Sequence, residues 1–500
     1  MLTARTTRLR RALIAALGAL VAAPVLLGAQ PAQATVSTDA LQDEVTASVR
    51  IAGEGDLVPG DDLRLQVTVD NASAVDVPES VATVALGDGP LRQESALSAW
   101  LAGDDDVQQR ARRTVGWLET PAIAAGQRSS FELTVPAGNL GIRDDPTVWG
   151  VRLLALDLDL GEGRDVQARS SVTWLPEGVE SQQRVATVVP LTSGVATTTG
   201  VLDEGQLTAL TGEQGRLRTR LDAATAAGAT IAVDPMVLAS IRRLGTSAPA
   251  AAAAWLADLE ASTLDSFLLG YGDVDPIELL RANGASLRSP ASLDFAMDAA
   301  DFAEEPAPTP SATASPTATP ATEAPDDDTA LPDVAALTAW EPTLPELVWP
   351  VGAVAPAQLD GLVGAQSALL DDRSLASVPA DSARIDTALP TVVERSAVSR
   401  AVAQAASATS TAAWQTAMAR VKALLAVDAR AGSATVVAAL PRDGAETPAS
   451  TTPSAPSARS LGALRARSST RWTSPSPRPR PPTSPYQTAS RPSTAWSARA

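Results

Sequence analysis

The stretch Arg184-Val-Ala-Thr-Val-Val-Pro-Leu191 is the first of three apolar runs that decide the fold class. The others are Ala229-Thr-Ile-Ala-Val-Asp-Pro235 and Ser266-Phe-Leu-Leu-Gly-Tyr271, and helical patterns lie between them. Because a parallel pair of strands needs a helix-sized crossover, this alternation predicts parallel pairing. Runs this uniformly apolar are typical of strands that are buried on both faces. The region therefore predicts an α/β barrel or an open α/β sheet.

A short glycine-containing phrase precedes several of the predicted strands. Ala227-Gly-Ala-Thr230 leads into the second run, Asn283-Gly-Ala-Ser286 leads into Leu287, and Val363-Gly-Ala-Gln366 leads into Ser367–Asp371. Glycine lacks a Cβ and therefore adopts the left-handed conformation that ends many helices. At each of these places the repeat predicts the end of a helix followed by a strand.

The whole α/β region is predicted to be a (β/α) barrel-like domain over residues 184–442, incomplete at its C-terminus. Pro345–Pro350 and Ala434–Leu440 are predicted as further strands of this domain. Leu359–Val363 and the alanine-rich segment Ala401–Val427 are predicted as helices.

Two segments have compositions that do not support a packed core. Residues 303–331 consist of Ala, Pro, Thr, Ser, Glu and Asp with almost nothing apolar, which predicts a disordered insertion in the barrel-like domain. Residues 443–500 are rich in Pro, Ser and Arg and show no periodicity. Two interpretations of this tail stay open: a disordered basic extension, or a product of a shifted reading frame.

Residues 45–176 are predicted to form an immunoglobulin-like β-sandwich. Leu63–Asp70 alternates apolar and polar residues with a period of two, as expected for a strand with one buried face. A helical insert is predicted at Glu94–Leu101. Short strands separated by turn residues are typical of this class of sandwich. The later predicted strands are Val81–Leu86, Ser130–Pro136, Val148–Leu154 and Val166–Trp174.

The sequence contains no histidine and no cysteine. The lack of cysteine excludes disulfides, thiolate nucleophiles and cysteine metal sites. The lack of histidine excludes a Ser-His-Asp triad and histidine-ligated zinc. Metal-free carboxylate chemistry and a hard-metal site with oxygen ligands both stay open. We expect no cofactor and no metal.

The net charge of −18 is unevenly distributed along the chain. Residues 1–34 carry +4 and residues 443–500 carry +6, which leaves −28 on residues 35–442. A body this acidic is expected to repel nucleic acid and anionic lipid.

Residues 1–34 have the features of a secretory signal peptide. Four arginines precede an apolar run from Leu13 to Gly28, and Ala32-Gln-Ala34 supplies small residues for a cleavage site. An uncleaved anchor is the alternative interpretation. The protein is therefore expected to be exported through the cytoplasmic membrane, to the cell envelope or the medium.

The layout of residues 1–442 resembles a family of actinobacterial exported proteins, domain of unknown function 6049. The likeness rests on the signal peptide and on the segments Leu57–Asn71, Arg184–Pro190, Ala229–Pro235, Gly270–Pro276 and Leu347–Pro350. The resemblance implies a cell-envelope role without an assigned activity, a genetic link to a lipid II flippase, and a membrane-anchoring helix near the C-terminus. No apolar span follows residue 442, so the expected anchor is absent from this chain.

Four side chains are candidates for a functional site. Asp234, Asp273 and Asp275 follow predicted strands, and catalytic groups of barrel enzymes lie at such strand ends. A carboxylate pair among them would suit glycoside cleavage. Trp349 is a candidate for stacking on a sugar ring. The competing interpretation assigns the aspartates to turns and Trp349 to the core. Asp371 and Asp372 lie at the end of another predicted strand and have the same two interpretations.

Two functions from different classes therefore remain. The first is a non-catalytic binding or scaffolding role at the cell wall, with cell-wall glycan or envelope proteins as partners. The second is a metal-independent glycoside hydrolase-like enzyme that uses Asp234 with Asp273 or Asp275. The barrel-like region is similar to glycoside hydrolases and polysaccharide deacetylases as a fold-level analogy only, and deacetylases need histidines that this chain lacks.

Overall fold

The computed structural model describes most of the chain between the predicted signal peptide and the predicted tail. The described residues are 45–53, 55–104, 111–161, 164–179, 183–283, 290–302, 331–361, 365–375 and 389–442. The predictions for residues 1–34, for 443–500 and for the strand at Leu287 lie outside them, as does the predicted insertion except for its last residue, Leu331.

The N-terminal part is a sandwich of two sheets. Its strands are β1 (Val45–Ile51), β2 (Asp56–Leu57), β3 (Leu63–Asn71), β4 (Ser80–Gly87), β5 (Ala111–Thr120), β6 (Arg128–Val135), β7 (Gly150–Gly161) and β8 (Arg164–Trp174). One sheet has the order β1-β3-β6 and the other the order β2-β8-β7-β4-β5. The predicted strand with one buried face is confirmed in β3. Its alternate residues Leu63, Leu65, Val67 and Val69 are buried between the sheets.

Two helices accompany the sandwich. The predicted helical insert is α1 (Glu94–Leu101), and a short helix, α2 (Ala137–Leu140), follows β6. Trp100 of α1 is fully buried, and its indole nitrogen donates a hydrogen bond to the Ser170 carbonyl at 2.8 Å. This bond attaches α1 to strand β8.

The C-terminal part is a nearly closed sheet of parallel strands. They are β9 (Arg184–Leu191), β10 (Thr230–Val233), β11 (Ser266–Leu268), β12 (Leu347–Val348), β13 (Ser367–Asp371), β14 (Thr391–Glu394) and β15 (Thr435–Ala439). Their order is β11-β10-β9-β15-β14-β13-β12, with every neighbouring pair parallel. The strands thus follow chain order around a barrel.

The prediction that the barrel is incomplete at its C-terminus is wrong. The last strand, β15, pairs with the first strand, β9, from Thr435–Arg184 to Ala439–Val188. Among the described strands, the unpaired edges are those of β11 and β12, where the Leu344 amide donates to the Ser266 carbonyl at 2.9 Å. The chain between these two strands includes residues 284–289 and 303–330, which lie outside the described residues.

Helices cover the outside of the barrel, and several sequence-based boundaries need correction. The helices are α3 (Glu204–Thr211), α4 (Arg216–Ala227), α5 (Pro235–Arg242), α6 (Ala250–Glu260), α7 (Pro276–Asn283), α8 (Val334–Thr338), α9 (Ser396–Ala406) and α10 (Thr411–Arg430). Gly228 ends α4 with a φ of 63°, as its glycine predicted.

The helix predicted over Ala401–Val427 is two helices, α9 and α10. Ser410 separates them, because its hydroxyl accepts a hydrogen bond from the Ala413 amide at 3.2 Å and starts α10. The predicted strand Pro345–Pro350 shrinks to the two residues of β12, and the predicted helix Leu359–Val363 is a 3₁₀ turn at Pro356–Gly361. Strand β14 was not predicted.

The sandwich and the barrel share one hydrophobic core. Trp100, Val151 and Leu153 of the sandwich belong to the same buried cluster as Val421, Leu424 and Val427 of α10. Polar contacts surround this joint: Arg50 donates to Gln415 at 2.8 Å, and Lys422 pairs with Asp56 at 2.7 Å. The two parts are therefore packed together through α10.

None of the helices described here combines the length and the apolar character needed to cross a bilayer.

Candidate functional site at the mouth of the barrel

Alternation along the barrel strands directs a set of polar residues to one end of the interior. The apolar cluster inside the barrel includes Ala232, Leu369, Val392 and Leu347. Two residues further along each strand come Asp234, Asp371, Glu394 and Trp349. Because side chains of a strand alternate between its faces, these four residues face the interior at the carboxyl ends of the strands. Active sites of (β/α) barrels lie at this end, which we call the mouth.

Asp234 lies between strand β10 and helix α5 and is 0% exposed. Its Oδ1 accepts hydrogen bonds from the amides of Met236 and Gly272, both at 2.9 Å, so it caps α5 and holds the loop after β11. Its Oδ2 is buried without a hydrogen-bond partner. Burial raises the pKa of Asp234 to about 7, despite the amide hydrogen bonds, which lower it.

Asp273 lies in the loop after β11, close enough to Asp234 for its charge to raise the pKa of Asp234. Its φ of 57° lies in the left-handed region, which aspartate tolerates better than most residues. Its Oδ1 lies 3.1 Å from Nη1 of Arg442, which follows β15. The Arg442 carbonyl also accepts hydrogen bonds from Thr192 at 2.9 Å and from Arg216 at 2.6 Å. Arg442 therefore links the segments that follow β9 and β15, the first and last strands of the barrel, to the loop that carries Asp273.

Trp349 is 8% exposed and packs inside the barrel. Its ring meets Phe267 edge to face, with the ring centroids 6.3 Å apart. The Arg442 guanidinium lies over the same ring, 5.0 Å from its centroid. Phe267 and Arg442 thus both contact the Trp349 ring. These contacts match the core interpretation of Trp349 more closely than a role in stacking on a sugar.

Asp275 has a local role in the structure. Its Oδ1 accepts hydrogen bonds from the amides of Ile277 at 3.2 Å and Val351 at 3.4 Å, which places it at the start of α7 and ties α7 to the segment after β12. Asp234 and Asp273 come together at the mouth, and Asp275 lies two residues further along the same loop. Each of the three has a structural partner, and their catalytic role stays a prediction.

A second group of acids lies at the ends of β13 and β14, and Glu394 in this group was missed from the sequence. Asp371 and Glu394 are register partners across these strands. Burial raises the pKa of Glu394 to about 7, and the charges of Asp371 and Asp372 add to this effect. The run Thr391-Val-Val-Glu394 has the same strand-then-carboxylate pattern as Ile231-Ala-Val-Asp234, so the signal was present in the sequence.

The two aspartates of this group have opposite environments. Burial alone would raise the pKa of Asp371, but hydrogen bonds and the charge of Arg373 outweigh it, so the pKa is lowered. Asp372 is 7% exposed and accepts a 2.6 Å hydrogen bond from the Ser396 hydroxyl. Burial raises its pKa, and the charge of Asp371 adds to this effect. Within the described residues, no three carboxylates are arranged so that they could hold a metal ion.

Arg442→Ala should destabilise the protein by about 2 kcal/mol, since it removes the partner of Asp273 and the cover of Trp349. The cost should stay below that of a fully buried pair because the Asp273 side chain is 23% exposed. Urea denaturation followed by circular dichroism measures the change. Arg218→Ala is the control, because its partners Asp222 and Asp258 are largely exposed, and it should cost less than about 1 kcal/mol. Equal losses in the two variants would contradict the prediction.

Comparison with protein families identifies the chain at the family level. A model described as a family of unknown function (DUF6049) matches residues 5–458. The chain belongs to this family. Curated proteins gave no match. Membership in DUF6049 agrees with the resemblance seen in the sequence and assigns no activity.

Solved structures give two kinds of partial likeness. The β-glucosidase of Listeria innocua matches with a TM-score of 0.18 and 13% identity, covering 26% of this chain and 16% of that chain. A β-glucosidase of Erythrobacter marinus gives a TM-score of 0.18, 12% identity and coverage of 26% and 15%. The DUF6049 chain therefore spans about a sixth of the length of these glucosidases.

The CARDB domain of the PF1109 protein from Pyrococcus furiosus, solved in complex with di-metal ions, matches with a TM-score of 0.17 and 11% identity. The match covers 27% of this chain and 94% of that chain. TM-scores this low carry no argument about what the DUF6049 protein binds or does.

Proposed function

We propose that the protein is an exported, non-catalytic binding or scaffolding protein of the cell envelope. The observation that supports this best is the burial of Asp234, which is 0% exposed and whose Oδ1 accepts hydrogen bonds from two backbone amides. A catalytic carboxylate has to contact its substrate, so its access to the substrate is considered before its pKa. Asp273, a predicted partner of Asp234, is paired with Arg442. The leader-like sequence of residues 1–34 supports export.

The joint between the sandwich and the barrel supports a scaffolding role. Helix α10 contributes to the core that both parts share, and it is linked to the sandwich by Arg50–Gln415 and Lys422–Asp56. Arg430 at the end of α10 donates to the Trp149 carbonyl at 2.7 Å. A joint packed in this way holds two modules in one orientation, which suits a protein that positions partners.

One observation favours an enzyme as the second candidate, with residues other than those predicted. Asp371 and Glu394 are register partners at the mouth, and their surroundings move their pKa values in opposite directions. A carboxylate with a lowered pKa beside a carboxylic acid with a raised one is the arrangement used by glycosidases. Against this assignment, Arg373 holds Asp371 through hydrogen bonds from Nε to both carboxylate oxygens, at 2.9 and 3.0 Å.

Purified cell-wall sacculi test both functions. The proposed function expects the protein to cosediment with sacculi and to release no soluble sugar or reducing ends during prolonged incubation. Release of reducing ends that is lost in Glu394→Gln and kept in Glu278→Gln, a change on the exposed surface of α7, would replace the proposal with the enzyme. Failure to cosediment, with no release, would refute a cell-wall role.

A further inference from the structure

The sandwich carries an open groove at the edge where its two sheets meet. Strand β5 ends the five-stranded sheet and β6 ends the three-stranded sheet, and each is paired on one side only among the described strands. The groove has a volume of about 480 Å³. Its lining residues are Thr114, Val115, Gly116, Trp117, Leu133, Thr134, Val135, Pro136 and Asn139.

The floor of this groove is closed and apolar. Val115, Leu133 and Val135 are buried members of the sandwich core. Gly116 of β5 approaches β6 so closely that a Cβ at this position would lie 2.9 Å from Cγ2 of Val135. A further strand therefore cannot enter between β5 and β6 at this point, and an occupant has to lie along the surface.

The rim of the groove combines one exposed aromatic ring with neutral polar groups. Trp117 is 62% exposed, although a tryptophan normally buries most of its surface. Thr114, Thr134 and Asn139 are also exposed and supply two hydroxyls and one amide. An apolar platform beside a few hydrogen-bonding groups is typical of sites for small polar ligands.

The charge of the groove restricts its occupant further. None of the nine lining residues is charged, whereas residues 35–442 carry a net charge of −28. An anion would be repelled by the surrounding protein, and a cation would find no carboxylate in the groove. An uncharged ligand with both apolar C–H faces and hydroxyl groups fits this lining, and pyranose sugars have this chemistry.

We propose that this groove binds an uncharged glycan, with a pyranose ring on Trp117 and its hydroxyls bonded to Thr114, Thr134 or Asn139. The inference rests on the proposed binding function and names its site and ligand class. The glycan lies across the edge of the sandwich.

Isothermal titration calorimetry of the whole protein with the hexamers of glucose and of N-acetylglucosamine tests the inference. We expect at least one hexamer to bind, Trp117→Ala to weaken binding at least 10-fold, and Asn139→Ala to weaken it about threefold to tenfold. Phe295→Ala is the matched control, because Phe295 is 69% exposed in the C-terminal part of the chain and should leave binding unchanged. Unchanged circular dichroism and melting temperature show that Trp117→Ala is folded.

Three outcomes would overturn the inference: no binding of either hexamer, equal binding by Trp117→Ala and the wild type, or Trp117-dependent binding of an uncharged Thr/Val-rich peptide in place of both hexamers.

Cosedimentation with sacculi separates the two proposals. If the wild type and Trp117→Ala both cosediment, glycan binding by the groove is refuted while the envelope-binding function stands. If neither cosediments, the proposed function fails as well.

Discussion

Asp234→Asn should remove a pH dependence of stability that the wild-type protein shows. The pKa of the buried carboxyl is raised from 3.8 to about 7 in the folded protein, mainly by burial. Between these pH values the folded state keeps a proton that the unfolded state has lost. The stability contributed by this group is therefore fully present below pH 4 and is lost as the pH rises through 7. Between pH 5 and pH 8 the loss should amount to about 2–3 kcal/mol.

Asparagine keeps an oxygen for the Met236 and Gly272 amides but cannot ionise. The free energy of unfolding of Asp234→Asn, measured with urea at pH 5, 6, 7 and 8, should therefore fall less steeply than that of the wild type. Glu394 contributes in the same direction in both proteins, since burial raises its pKa to about 7, so the difference between the two slopes isolates Asp234. Asp258→Asn, an exposed change on α6, is the control and should keep the wild-type slope.

A second substitution at this position separates charge from hydrogen bonding. Asp234→Ala leaves the two buried amides without their acceptor and should cost about 2–4 kcal/mol at pH 5, where Asp234→Asn costs much less. If Asp234→Asn shows the full wild-type slope, the buried carboxyl does not titrate as proposed. If Asp234→Ala is as stable as the wild type, its role as a cap is wrong.

Trp100→Ala should be the most damaging of the single changes considered. Trp100 is 0% exposed, packs in the core that joins the sandwich to α10, and bonds to the Ser170 carbonyl. Removing a buried tryptophan ring should cost about 3–5 kcal/mol. Because the cluster includes residues of both parts, we expect the loss to shift a single cooperative transition in urea rather than the sandwich alone.

Trp117→Ala is the matched control for this change, because Trp117 has the same side chain but is 62% exposed. It should alter the free energy of unfolding by less than about 0.5 kcal/mol. Far-ultraviolet circular dichroism follows both parts of the protein. Two separate transitions in Trp100→Ala, with the later one at the wild-type midpoint, would show that the sandwich and the barrel unfold independently and would contradict the shared core.

Local patterns in the sequence determined much of the fold. The uniformly apolar runs at β9, β10 and β11 predicted parallel strands because such strands are covered on both faces. The alternation in Leu63–Asp70 predicted a half-buried strand of a sandwich, since side chains alternate between the two faces. Gly228 predicted the end of α4 through its left-handed conformation. Each of these signals depends on residues that are near each other in the chain.

The sequence also limited the chemistry. With no histidine or cysteine, general acid–base chemistry in this chain is limited to carboxylates, tyrosine and Lys422. The sequence placed Asp234 and Asp273 at strand ends, and the structure brings them together at the mouth. It could not show that Asp234 is fully buried or that Arg442 pairs with Asp273, because residues 273 and 442 meet only when β15 closes against β9.

Tertiary structure alone decided which of the described strands lie at the edges of the barrel sheet, which carboxyls have raised pKa values and where a ligand can lie. The edge strands β11 and β12, the acid pair Asp371–Glu394 and the groove between β5 and β6 each bring together residues from different elements. Which side chains are buried is a property of the packed molecule. Packing buries Glu394, which raises its pKa, and leaves Trp117 exposed. The sequence therefore determined the types of elements and the available chemistry, and packing determined which side chains face water.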